Sequence, residues 1–372
     1  MEEREIFEED SDSFNQSAKI KVIGVGGGGS NAVNRMLDDK TDGVDFIVLN
    51  TDAQALAASK CKNKYVIGRT LTKGLGAGGV PNRGREAALA SKAEIESYVA
   101  GADLVFIACG EGGGTGTGAA PVVAEIAKNA GALVLAIITR PFKFEGKNRH
   151  LNAANGINEL KKHVDSIIII SNDQLTINNG NTPLLESFKL SDNVLATSVK
   201  TITDLILKHG LVNLDFADVK STLTSTGLAM IGFGVGKGEK KGIDAAKAAL
   251  SSPLLELSIR GARSFLINVV ISKSTSTNDV SYAIDYITEL ATGKKDGSSE
   301  VSIIFGVQID ENMEDDMMKI AIIATNFTSE GISENNSYES TADKRITETE
   351  KEIERNRKQD IEPDYFKFTN NK

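Results

Sequence analysis

The sequence predicts an α/β protein: an N-terminal doubly wound parallel sheet, a long central helix, a C-terminal α/β domain with a mixed sheet, and a polar tail. Three observations carry that expectation. Residues 104–109 (LVFIAC) and 167–170 (IIII) are unbroken apolar runs, the pattern of strands buried on both faces. Such runs alternate with helix-length segments at the spacing of βαβ units. Glycine-rich stretches directly follow strand-like runs, at the carboxyl ends where open α/β sheets bind ligands.

Residues 1–18 are polar and acidic and read as a disordered arm. The strand-like run 19–25 then passes at once into Gly26, Gly27, Gly28, Gly29, Ser30 and Asn31 and a helical segment. Gly24, Gly26 and Gly29 fit G-x-G-x-x-G, with Asp52 at the end of the next apolar run, as in dinucleotide-binding folds. Taken alone that match is weak. A second glycine loop, residues 72–79, contains Ala77, Gly78 and Gly79 and precedes Pro81 and a helix ending near residue 98.

The third loop is the most pronounced: Gly110-Glu111-Gly112-Gly113-Gly114-Thr115-Gly116-Thr117-Gly118, between an apolar run and the helical segment AAPVVAEIAKNAG. Lacking Cβ atoms, such a backbone can approach an anion closely while successive N–H groups converge on it. The following helix adds unpaired N–H groups and a partial positive charge. Pro121 falls in the first turn, where its missing N–H costs nothing. Thr115 and Thr117 offer hydroxyls that can donate to phosphate. One such loop serves the shared pyrophosphate of a dinucleotide; three suit a triphosphate.

The alternation continues through residues 133–139, a loop (RPFKFEGKNR), a helix over 150–163 and the run 165–171. A long helix follows, with Ser191 as N-cap, apolar residues Val194, Leu195, Val199, Ile202, Leu205 and Ile206 at helical spacing, and Gly210 after His209 as C-cap. About 20 residues of helix span ~30 Å, enough to join two domains. Next comes NLDFAD, residues 213–218. Two aspartates three apart in a loop can orient a water toward a phosphoryl group; the alternative is a helix N-cap with a solvated acid. The second domain has strand-like runs at 226–236, 264–272, 301–309 and 319–327, the last two consecutive and expected to pair as a hairpin. The boundaries are therefore an arm (1–18), a nucleotide-binding domain (19–190), a central helix (191–212), a C-terminal domain (213–327), a polar linker (328–358) and a terminal peptide (359–372).

Composition narrows the function. Hydrophobic residues make up 40% and charged residues 25% of 372, ordinary for a soluble globular protein. A net charge of −9 argues against nucleic acid or an acidic membrane as partner. No run approaches the ~18–20 apolar residues of a membrane span, and the acidic start is unlike a signal peptide, so a cytoplasmic location without membrane insertion is expected. Cys61 and Cys109 sit in or beside apolar segments and suggest neither a disulfide framework nor a metal site. No G-x-x-x-x-G-K-[ST] motif occurs, which excludes a P-loop nucleotidase.

GGGTGTG at 112–118, with KVIGVGGGGSNAVNRM, NTDAQAL, TKGLGAGG, PFKFEGKNR, NLDFADVK and SSPLLE, resembles the FtsZ family, bacterial cell-division homologues of tubulin, over residues 19–327. The resemblance implies a GTPase, acting on GTP with Mg²⁺, that polymerises head to tail into filaments of the division ring. It implies that Gly27 to Asn31 and Gly116 to Gly118 hold the phosphates and flank the base, with Gly112, Gly113, Gly114 and Thr115 completing that loop. Ala77 to Gly79 would meet the γ-phosphate, and Glu145 and Arg149 the ribose and phosphates. Phe188 would stack on guanine, with Asn172 and Asp192 at its edge. A carboxylate suits guanine, accepting from N1–H and the exocyclic amine together. Asn213, Asp215 and Asp218 would be catalytic, reaching the nucleotide of the next subunit.

Two departures stand out. Glu111 replaces the methionine of many relatives, setting a carboxylate beside the phosphates, and Ser171 replaces a common proline. The end of the chain, with Ile361, Tyr365, Phe366 and Phe368, loosely resembles the peptide through which relatives bind membrane-tethering division proteins. Two other classes compete with the filament-forming GTPase. A dehydrogenase fails on the extra glycine loops and the lack of a hydride-handling site. A nucleotide binder without turnover is disfavoured by the presence of both Asp215 and Asp218.

Overall fold

The computed structural model describes residues 18–39, 41, 43–176, 182–208, 210–255, 259, 261–292 and 301–327. The expected arm up to residue 17, the linker 328–358, the peptide 359–372 and His209 lie outside them. β1 (Ile20–Val25) runs into α1 (Gly26–Asp38), β2 (Val44–Asn50) into α2 (Ala53–Ala58), and β3 (Asn63–Val66) into α3 (Arg69–Thr72). α4 (Pro81–Ala90) and α5 (Lys92–Val99) precede β4 (Leu104–Gly110), α6 (Thr115–Asn129), β5 (Leu133–Arg140), α7 (Lys147–Leu160) and β6 (Ser166–Ser171). α8 (Asn172–Thr176), α9 (Leu184–Leu207) and α10 (Phe216–Leu223) follow, then β7 (Gly227–Lys237), α11 (Lys241–Leu250), β8 (Ala262–Ile271), α12 (Thr277–Thr292), β9 (Ser302–Ile309) and β10 (Met317–Phe327).

The strands form one sheet in the order β3-β2-β1-β4-β5-β6-β7-β10-β8-β9. The first six pair in parallel in the doubly wound order. Every residue of β4 except the last is buried, as its unbroken apolar run requires. Alternate side chains supply two cores. Val22, Phe46 and Phe106 pack on one face with Val33 and Met36 of α1 and Leu195, Val199 and Ile202 of α9. Ile23, Ile47 and Ile107 pack on the other with Ala87 of α4, Ile95 of α5 and Val123 of α6.

β7 is shared between the two halves. Residues 227–229 pair in parallel with β6, and from Met230 onward β7 pairs antiparallel with β10. Asp165, 1% exposed, ties this junction: its carboxylate accepts from Val134 N (3.0 Å) and Ser225 N (3.2 Å) and pairs with Lys128. The mixed sheet is as expected, but the hairpin is not. β9 pairs in parallel with β8 at the sheet edge, and β10 inserts between β7 and β8. Burial explains the order: β10 is buried along most of its length and suits an interior slot, whereas β9 is only half-buried.

Two helix expectations are corrected. The central helix begins at Leu184 after Pro183, about two turns before Ser191, and ends at Leu207 with Lys208 as C-cap; Ser191 is buried within it and donates to Asn172 Oδ1 at 2.7 Å. The helix over 81–98 is broken at Ser91, whose Oγ accepts from Gly68 N at 2.9 Å.

Candidate nucleotide site

The three glycine loops converge and touch. A Cβ on Gly26 would lie 2.8 Å from Gly116 N, and one on Gly28 3.1 Å from Gly110 N, so the first turn of α1 rests directly on the backbone of the signature loop. A Cβ on Gly114 would meet Ala77 Cβ at 2.8 Å and Val80 N at 2.9 Å; one on Gly84 of α4 would meet Gly114 O at 2.3 Å. Thr51 and Thr115 share a hydroxyl–hydroxyl bond of 2.6 Å. Asn152 of α7 reaches Gly79 O and Gly112 O, both at 3.4 Å. Asn152 does not stand out in the sequence, and Thr51, though within NTDAQAL, gives no sign of its bond to Thr115, because each acts by bridging loops distant in the chain.

One side of this assembly is open. Nothing lies within 4 Å of a Cβ built on Gly27, Gly78, Gly79 or Gly113, and Gly27, Gly78 and Gly79 are exposed. The N-termini of α1 and α6 meet here, directing unpaired N–H groups and partial positive charge at one place. Asn31 is exposed on α1, while Ser30 Oγ turns back to Gly26 O at 2.6 Å and Gly29 packs against Ala108 O. Asp52 caps α2, accepting from Gln54 N and Ala55 N, which removes it from the ribose-binding role of a dinucleotide site.

Three expectations about the signature loop change. Thr117 does not offer its hydroxyl outward: it is buried, and its Oγ1 accepts from Gly112 N at 2.8 Å. Gly118 is a packing position, where a Cβ would stand 1.9 Å from Pro81 O. Glu111 is not on the open side of the loops but 5% exposed beneath the loop, against Cys109 and Thr117.

A second group of side chains gathers at the start of α9. Phe188 stands edge-on to Phe142, with ring centroids 5.2 Å apart, and Phe142 stacks on the exposed Phe144 at 5.1 Å. Glu145 accepts from Phe142 N at 2.9 Å and pairs with Arg149. Lys143 N donates to Asp173 Oδ1, and the buried Asn172 is held by Ser191. Asp192, on the same helix as Phe188, has its carboxyl pushed up to about 6 by burial, against the opposing pull of Arg35.

The acids lie beyond the other end of α9, whose 24 residues span about 36 Å at 1.5 Å each. Asp215 caps α10 by accepting from Asp218 N at 2.8 Å, and Asp218 Oδ2 accepts from Asp215 N at 3.4 Å. The capping role is thus present, but Asp215 and Asn213 remain exposed, and each aspartate keeps a second oxygen without a partner among the described residues. Asn213 Oδ1 accepts from Gly210 N at 2.6 Å. A cleft of about 880 Å³ lies elsewhere, lined by Lys200, Asp204, Asn268 and Gln308 among others, and holds none of these groups.

Comparison with known proteins agrees with this geometry. Residues 19–179 match the tubulin/FtsZ family GTPase domain, and residues 227–328 match the FtsZ family C-terminal domain. An FtsZ dimer from M. jannaschii is 42% identical, with 86% of this chain and 91% of that one covered and a TM-score of 0.79. The chain belongs to the tubulin/FtsZ family. A GTPγS-bound CetZ2 protofilament from Haloferax volcanii, 18% identical with 88% and 99% covered, shares the fold at a TM-score of 0.71.

As a tubulin/FtsZ-family GTPase the chain binds GTP and GDP and hydrolyses GTP. Substitutions in the loops separate fold from ligand. Gly114→Val would clash with Ala77 and Val80 rather than test the opening alone. Gly113→Val points into open space and is expected to leave the ligand-free thermal midpoint within about a degree. Gly84→Val drives a side chain into Gly114 O and is expected to lower that midpoint by several degrees, on the order of 2 kcal/mol or more. Differential scanning calorimetry without nucleotide checks both.

Proposed function

We propose that the protein is a filament-forming GTPase of the cell-division ring, in which the acids of one subunit complete the GTP site of the next. One observation carries this reading: the glycine loops converge at one end of α9 while Asn213, Asp215 and Asp218 lie past the other. Within one chain the acids do not meet the phosphates; stacking subunits head to tail would bring them together. That a solved relative is a dimer and another a nucleotide-bound protofilament supports self-association.

In this reading the phosphates rest against Gly27 to Asn31, Ala77 to Gly79 and the 112–118 loop, with guanine beside Phe188, Asn172 and Asp192. Glu145 and Arg149 stand between the two groups. A Mg²⁺ ion would arrive with the phosphates and add charge neutralisation there. Among the described residues no helix is long and apolar enough to cross a membrane. We assign membrane tethering to partner proteins that capture the apolar cluster Ile361, Tyr365, Phe366 and Phe368 at the division site.

GTPase activity per mole should rise above a threshold protein concentration, and a flat value from nanomolar to micromolar would place the whole site in one subunit. Asp215→Asn keeps an oxygen to cap α10 while removing the charge. It should bind GTP within about twofold of wild type yet lose roughly 10²-fold or more in turnover, measured by phosphate release at saturating GTP.

Asp192 sets a pH dependence. Guanine needs its ionised form, so affinity is full above its raised value of about 6 and is lost as pH falls through it. GDP affinity should fall below 6 more steeply for wild type than for Asp192→Asn, which should bind weakly and keep only the limb set by the terminal phosphate of GDP, whose last pKa is roughly 6. Fluorescence competition between pH 5 and 7.5 measures both.

A further inference from the structure

Glu111 is the residue of the signature loop that this reading leaves without a task. It follows β4 directly, and Glu111 N donates to Thr139 O at 2.9 Å. Its Oε1 accepts from Cys109 Sγ at 3.6 Å, while Oε2 is buried without a hydrogen-bond partner. Thr117 lies against the carboxyl and its Oγ1 accepts from Gly112 N, so Glu111 packs beneath the residue that fixes the loop backbone. α7 closes over both side chains. A Cβ on Gly156 would stand 2.5 Å from Glu111 Oε2 and 2.3 Å from Thr117 Cγ2, so only glycine lets the helix approach this closely.

We propose that Glu111 is a positioning residue of the phosphate loop that works as the neutral acid, and that its ionisation places a charge beneath the loop and opposes nucleotide binding. The inference rests on the reading that residues 112–118 hold the phosphates. As the acid, Glu111 packs uncharged against Thr117, whose Oγ1 holds Gly112 N. As the carboxylate, it sets a full negative charge in a dry site behind the loop, where solvent screens it little. Burial already pushes the carboxyl up to about 7, with Thr117 and Cys109 opposing. A nucleotide phosphate adds negative charge across the loop and favours the acid further, so binding takes up a proton.

The groups around Glu111 come from β4, α6, α7 and β5. From β4 comes the Cys109 thiol, which burial raises well above the usual thiol range. α6 presents Thr117. α7 presents Gly156, with Arg149, His150 and Glu159 elsewhere along that helix, and β5 presents Thr139 with Arg140 next to it. Asp192 sits with the base-side groups on α9 and acts in the opposite sense, below about 6.

The test is calorimetric titration of the full chain with GDP, which is not hydrolysed and whose terminal phosphate, with a last pKa of roughly 6, is largely ionised above pH 7. At pH 7.5, paired buffers of different ionisation enthalpy should reveal net proton uptake by wild type. Between pH 7 and 8.5 its affinity should fall, by at most about tenfold per unit for one linked proton. Glu111→Gln, which keeps the shape and cannot ionise, should show neither effect and should exceed wild type in affinity at pH 8.5. A residue with only a packing role would leave the proton count unchanged. Zero proton uptake by wild type overturns the proposal without recourse to any variant, as does equal uptake by wild type and Glu111→Gln. Gly113→Val distinguishes the two levels: if it binds GDP like wild type, the phosphate assignment falls and this proposal with it. If it loses GDP while wild-type affinity is flat with pH, the assignment stands and only the role of Glu111 is refuted.

Discussion

Backbone-on-backbone contact between the glycine loops is the constraint on which the rest of the structure depends. Gly26 against Gly116 and Gly84 against Gly114 leave no room for a side chain at either contact. Only at that distance do the N-termini of α1 and α6 direct their unpaired N–H groups at one place. A chain with net charge −9 cannot rely on a basic surface to attract a polyphosphate. In the proposed function fixed backbone dipoles would supply the attraction instead, and being fixed they would cost no reorganisation when the ligand arrives.

The same helix that frames the base-side residues keeps the chemistry apart. α9 buries Leu195, Val199 and Ile202 against the parallel sheet along its length, so its two ends are held at a set separation. Past it, Leu211 N and Val212 N both donate to Val307 O of β9, anchoring the segment before the acids to the second half of the sheet. Asp165 and the shared strand β7 join the two halves. In the proposed function a site divided in this way would couple hydrolysis to self-association, because neither end would be complete alone.

Much of this was legible in the sequence for physical reasons. Unbroken apolar runs marked the parallel strands, and glycines clustered where backbone must approach backbone. What escaped depended on contacts between distant segments. The partner of β10 is chosen by burial across the sheet, so a hairpin with β9 was a reasonable but wrong expectation. Ser191 carried the composition of a cap, yet its hydroxyl serves Asn172, and the helix starts at Leu184. Thr117 and Glu111 looked outward from their place in the motif and turn inward because α7 brings Gly156 over them. Asn152 carried no signal, since its partners Gly79 and Gly112 lie 73 and 40 residues away.

Mixing two defective proteins tests the divided site most directly. Gly113→Val would supply intact acids without a working phosphate loop, and Asp215→Asn would supply a loaded nucleotide without its catalytic carboxylate. The account predicts that phosphate release by the mixture exceeds the sum of the two proteins measured separately, because acids of the first meet nucleotide held by the second. Strictly additive rates, from proteins that each co-sediment with wild-type assemblies, would contradict it.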